Sequence, residues 1–177
     1  MAATRLAPRR GRSAELLVSL AAVPIIATLV VQHPLLIANR TPSEPEGLYL
    51  RTFGAPKVGR IIAFQAPAAA FPYADRRLAY LHRTPILKVI AAGPGDHVCT
   101  SHDVLNINGQ DRAPILRQDG EGTALPRWRG CRALEPGEFF VFSDRVPNSF
   151  DSRYFGPVSR GAVIGVFQHL DSLWEQS

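Results

Sequence analysis

The chain has 177 residues, 46% of them apolar and 20% charged, with 15 prolines and 14 glycines. That length supports one domain with its own core plus an added element, and the proline and glycine content points to many turns and little long helix. The net charge of +5 does not mark a nucleic-acid binder. Arg5, Arg9, Arg10 and Arg12 all precede the first acidic residue, Glu15, and no basic stripe interleaved with aromatics follows, so no nucleic-acid partner is expected.

From Leu16 to Asn39 no side chain is formally charged. As a helix this run would be about 35 Å long, against a hydrocarbon core of about 30 Å. A basic arm ahead of it places residues 1–15 in the cytoplasm, 16–38 as a transmembrane signal anchor in the lipid bilayer, and 39–177 on the far side. Pro24 and Pro34 are tolerable in a membrane helix. A cleaved signal peptide is the competing reading. Cleavage after Ala38, however, would put Leu36 where a small residue is needed, and the run is longer than a typical signal core.

Beyond the anchor, strands and turns alternate. Gly47–Phe53 and Val58–Gln65 read as strands, Ala66–Ala70 as a loop, and Tyr73–His82 as a short helix closed by Pro85. Ile86–Ala92 is the most strand-like run. It ends in Gly93-Pro94-Gly95-Asp96, where Pro94 and Gly95 suit the centre of a type II turn. Strands follow around Val98 and at Val104–Ile107, before an Asn108-Gly109 hairpin turn. Residues 112–132 read as a long polar excursion, and Glu138–Phe142 and Ala162–Gln168 as the last strands. The expected fold is mainly β, an antiparallel domain of about 130 residues hung from one N-terminal membrane helix.

Cys99 and Cys131 both lie in the exported part. In an oxidising compartment such a pair reads as one disulfide, the alternative being two buried thiols. The cysteine spacing and the five scattered histidines match no metal site, so neither metal nor cofactor is expected.

Three stretches carry candidate chemistry. In Asn39–Tyr49, Ser43 lies between Pro42 and Pro45 on a stiffened backbone; read alone, this is a Pro-rich connector. Lys88 interrupts an apolar strand on the face of Ile86 and Ile90. It is either an edge lysine that discourages aggregation, which composition alone favours, or an amine desolvated to lower its pKa. In Asn148–Gly156, Asp151 and Arg153 can pair and Ser149 and Ser152 can bond local backbone, which by itself describes a polar turn.

Taken together, Thr41-Pro42-Ser43-Glu44-Pro45, then Lys88 with Pro94-Gly95-Asp96, then Asn148-Ser149-Phe150-Asp151-Ser152-Arg153 resemble the boxes of the type I signal peptidases. The TraF-type peptidases of conjugative transfer systems are the most similar branch. Their marks here are Asn39-x-Thr41-x-Ser43-x-Pro45-x-Gly47-Leu48-Tyr49, the cysteine pair, Leu125-Pro126-x-Trp128-x-Gly130-Cys131 and Phe150-Asp151-x-Arg153-Tyr154-Phe155-Gly156. The resemblance implies a serine endopeptidase in the bacterial inner membrane, its domain periplasmic, that processes a pilin or another exported precursor. Ser43 would be the nucleophile and Lys88 the general base, with the Ser43 N–H and the Thr41 hydroxyl as oxyanion donors. Ser149 would orient the Lys88 amine, Asp151 would hold its loop through Arg153, and in the TraF branch an aspartate also counts in the catalytic set. The general enzymes have Met where Glu44 stands, Arg where Val89 stands, and Gly-Asp-Asn-Arg where Ser143-Asp144-Arg145-Val146 stands. These departures weigh against a housekeeping signal peptidase. Outside the enzyme class, a non-catalytic periplasmic scaffold remains the alternative; the anchor argues against a self-cleaving regulator.

Overall fold

The computed structural model describes residues 34–101 and 103–173. The basic arm and nearly all of the apolar run expected to span the membrane lie outside the described residues. Among the described residues no helix is long and apolar enough to cross a membrane.

The domain is built from antiparallel strands in two sheets. Seven strands form the larger one: β1 (Leu36–Asn39), β2 (Gly47–Thr52), β3 (Ile61–Phe64), β4 (Ile86–Ala92), β9 (Glu138–Val141), β10 (Val158–Ser159) and β11 (Val163–His169). Their order is β1-β2-β11-β3-β4-β9-β10. The smaller sheet has the order β7-β6-β5-β8, from β5 (His97–Ser101), β6 (Val104–Ile107), β7 (Gln110–Pro114) and β8 (Cys131–Ala133).

Strand β1 corrects the anchor boundary. Leu36–Ala38, assigned to the membrane by hydropathy, pair with β2 in the register Leu36↔Leu50 to Asn39↔Gly47. Hydropathy cannot see this, because an apolar edge strand and the end of a membrane helix look alike in composition.

Strand β4 is buried on both faces, so its near-continuous apolar run needs no alternation. Ile86 and Ile90 join Ile62, Phe64, Phe139, Val141 and Phe155 in one core cluster. Leu87 packs on the opposite face with Tyr49, Ala63 and Phe167. A further cluster, including Val98, Leu105, Phe140, Phe142 and Tyr154, links the two sheets.

Both expected turns form. Gly95 has φ +88°, and the Asp96 N–H donates to Gly93 O at 3.0 Å; Asn108 and Gly109 both have positive φ, as a tight hairpin requires. The expected helix over 73–82 breaks at Leu78 into α1 (Tyr73–Arg77) and a 3-10 turn, Ala79–His82.

Cys99 and Cys131 are disulfide-bonded and directly opposite across β5 and β8, which disposes of the free-thiol alternative. The bond closes a loop of 32 residues, worth about 3–4 kcal/mol by restriction of the unfolded chain. Cys99→Ser with Cys131→Ser is therefore expected to lower the unfolding free energy by about 3–4 kcal/mol in chemical denaturation.

Candidate active site

The turn joining β1 to β2 is organised by Asn39. Its buried side chain donates Nδ2–H to the carbonyls of Thr41 (2.9 Å), Glu44 (3.0 Å) and Pro45 (3.0 Å). Its Oδ1 accepts from the Thr41 N–H at 3.1 Å and the Thr41 hydroxyl at 2.8 Å. Asparagine is suited to this, since its amide can satisfy turn donors and acceptors at once. The Tyr49 hydroxyl also donates to Pro45 O at 2.8 Å. Ser43 rides at the centre of this turn, and its carbonyl accepts a hydrogen bond from the Ser143 hydroxyl.

Lys88 meets it from the sheet. Strand β4 lies between β3 and β9, and Lys88 is 4% exposed, so the edge-lysine reading is overturned. The interior position follows from β9, which pairs from a distant part of the chain. Lys88 Nζ lies 2.5 Å from Ser43 Oγ and donates to Leu87 O at 3.3 Å. Burial pushes the Lys88 pKa down, aided by the Arg153 charge and opposed by Asp151 and Glu44. A hydroxyl held against an amine biased toward its neutral form can pass its proton to that amine and act as a nucleophile. Both groups line a cleft of about 780 Å³, whose wall includes Ile37, Leu81, Ile86, Val146 and Phe150.

The remaining expected residues divide. The Thr41 hydroxyl lies 3.5 Å from Ser43 Oγ, but its proton goes to Asn39. Ser149 lines the same cleft. Its Oγ is buried without a hydrogen-bond partner, so the expected bond to Lys88 is not formed in this structure.

Asp151 is fully buried and pairs with Arg153, as expected: Oδ1 accepts Nε–H at 2.8 Å and Oδ2 accepts Nη2–H at 2.9 Å. It also caps α2 (Ser152–Phe155) by accepting the Arg153 N–H at 3.2 Å. It bonds to neither Ser43 nor Lys88, so its influence on Lys88 is through space and through the loop it holds.

Three positions had no role assigned from sequence. Ser143 stands where the general enzymes have glycine, and its hydroxyl fixes the Ser43 carbonyl. Glu44 is buried against β4, its Oε1 accepting the Val89 N–H at 3.0 Å. Asn39 was visible only as a letter in a motif; an asparagine opening a turn is the signal that could have assigned it.

The two outlying marks of the motif set meet in space. Trp128 N–H donates to Arg153 O at 3.2 Å, and its ring lies over Gly156, where an added Cβ would come within 2.7 Å of it. Gly156, at φ +81°, also ends α2, so both space and backbone require glycine there.

Residues 10–170 match the family described as signal peptidase, peptidase S26, and the chain belongs to that family. Its relatives include the plasmid transfer protein TraF of Escherichia coli, 28% identical over 73% of this chain and 79% of that protein. The conjugal transfer protein TraF of Agrobacterium tumefaciens (strain 15955) is 30% identical over 72% of this chain and 77% of its own length. Signal peptidase I V of Bacillus subtilis (strain 168) is 30% identical over 51% of this chain and 59% of its own.

Proposed function

We propose that the protein is a membrane-anchored serine endopeptidase that uses Ser43 and Lys88 to process an exported precursor, most directly the pilin of a conjugative transfer system. The observation that supports this best is the 2.5 Å contact between Ser43 Oγ and Lys88 Nζ inside a largely apolar cleft. Neutral Lys88 takes the Ser43 proton as Oγ attacks the scissile carbonyl. The resulting ammonium gives that proton to the leaving amine, and an acyl-enzyme on Ser43 remains. The Ser43 N–H and the Thr41 hydroxyl stabilise the oxyanion, which requires the Thr41 proton to turn away from Asn39. The Ser149 hydroxyl, which lines the same cleft and has no hydrogen-bond partner, orients the Lys88 amine. Water then releases the product; if the precursor's own amine reaches the acyl-enzyme first, the product is cyclic. The TraF names of the relatives support the conjugative substrate, and an apolar segment emerging from the bilayer fits the cleft.

Mass spectrometry of the candidate pilin from cells carrying Ser43→Ala tests this. The uncut precursor is expected to accumulate alone. Accumulation of many exported precursors would indicate general removal of signal peptides, and normal processing would leave only a scaffold role.

A further inference from the structure

Glu44 has no part in the chemistry above, yet among the described residues it is one of the few buried carboxyl side chains, at 4% exposure. The sheet explains what holds it. In β4 the Ile90 N–H goes to Arg60 O on the β3 side, so the Val89 N–H points the other way, toward β9. Strand β9 ends at Val141, and its pairing with β4 shifts register between Ile90 and Ala92. The Val89 carbonyl still accepts from the Phe142 N–H at 3.2 Å. The Val89 N–H instead donates to Glu44 Oε1. Val89 is half-buried, and a donor withdrawn even partly from water favours such an acceptor.

We propose that Glu44 is a positioning residue of the Ser43–Lys88 pair, its carboxylate latching the serine-bearing turn onto β4 at the residue next to Lys88. The inference rests on the serine–lysine reading above. The latch joins the residue after the serine to the residue after the lysine. The Glu44 carbonyl is itself held by Asn39 at 3.0 Å, so the residue is pinned from both ends. A displacement of about 1 Å between nucleophile and base can cost about a hundredfold in rate.

The latch has an electrostatic side. The charged groups facing Glu44 are Lys88, Arg145 and Asp144, with the Tyr49 hydroxyl close by; Asp151 and Arg153 face Lys88 from the other loop. Burial raises the Glu44 pKa, and its charge, when present, favours the ammonium form of Lys88. Glu44→Gln keeps an oxygen for Val89 and removes the charge, whereas Glu44→Leu removes both.

The chain contains only two lysines, Lys57 and Lys88, and Lys57 is exposed. Full-length protein in micelles, labelled with 13C-lysine and carrying Lys57→Arg, therefore reports Lys88 ionisation by NMR as a single titrating signal. Adding Glu44→Gln is expected to move the Lys88 midpoint to lower pH and to preserve processing of the pilin precursor. Glu44→Leu is expected to slow processing by about tenfold to a hundredfold. Full processing by Glu44→Leu overturns the latch, and an unmoved midpoint in Glu44→Gln overturns its electrostatic side. A Lys88 midpoint at the ordinary value of about 10.4, with processing indifferent to Ser43→Ala, overturns the serine–lysine reading instead.

Discussion

Lys88→Met is expected to abolish processing, by about a thousandfold or more, while making the protein more stable at neutral pH. The first effect follows from removing the group proposed to accept the Ser43 proton, since nucleophile and base act as a unit. Lys88→Arg should fail equally, because a guanidinium stays charged throughout the working range. The second effect follows from the direction of the Lys88 pKa. Burial lowers it in the folded protein, whereas the unfolded chain has an ordinary lysine near 10.4. Between the two values the unfolded state binds more protons, so stability rises with pH across that window. The penalty is full below the folded pKa and disappears above the unfolded one. Each tenfold change in the ionisation constant corresponds to about 1.4 kcal/mol. The stabilisation by Lys88→Met should therefore be largest at neutral pH and shrink as pH rises toward 10. Melting curves of both proteins across that range measure it. The rate of the parent enzyme should rise with pH through the folded Lys88 pKa, and a flat profile would remove Lys88 as the base.

The strand bearing Lys88 was legible in the sequence, because a run of apolar and β-branched residues ended by Pro-Gly has few other solutions. Whether it was an edge or an interior strand was not legible. That depends on β9, whose pairing with β4 is non-local and weakly encoded in either segment. The same limit hid Glu44: its acceptor role exists only because β9 stops one residue short of covering Val89. Strand β1 was lost inside an apolar run that composition assigns to the membrane. Strand β7, with its largely exposed Gln110-Asp111-Arg112-Ala113-Pro114, is held by the Asn108-Gly109 hairpin rather than by any hydrophobic pattern of its own. The pairing of Ser43 with Lys88 came from the order of three motifs. No single one outweighed its bland reading as connector, edge or turn, and their convergence is a property of the folded chain.

Arg153→Met should have the opposite profile to Lys88→Met, losing stability and processing together. Arg153 is 1% exposed and Asp151 is fully buried. The guanidinium answers both Asp151 oxygens, the Pro114 carbonyl at 3.0 Å and the Ser149 carbonyl at 3.0 Å. It also lies over the Phe142 ring, 4.9 Å from the centroid. Removing it strands a buried carboxylate and two carbonyls, for which about 3–5 kcal/mol of destabilisation is expected. The same bonds tie the loop carrying Ser149 to the strand that ends at Pro114, so the cleft wall should loosen and processing should fall. Chemical denaturation and precursor processing, measured on the same preparations, check both. If Arg153→Met costs less than about 1 kcal/mol, the pair is not the brace described here. Adding Asp151→Leu removes the stranded charge and is expected to recover part of the stability without recovering activity, because the ties from Arg153 to Pro114 and Ser149 remain broken. The two buried cations thus differ in what compensates their burial. Arg153 is matched by a carboxylate and carbonyls and holds the fold. Lys88 is held against a neutral hydroxyl, and its depressed basicity is what a proton acceptor at working pH requires.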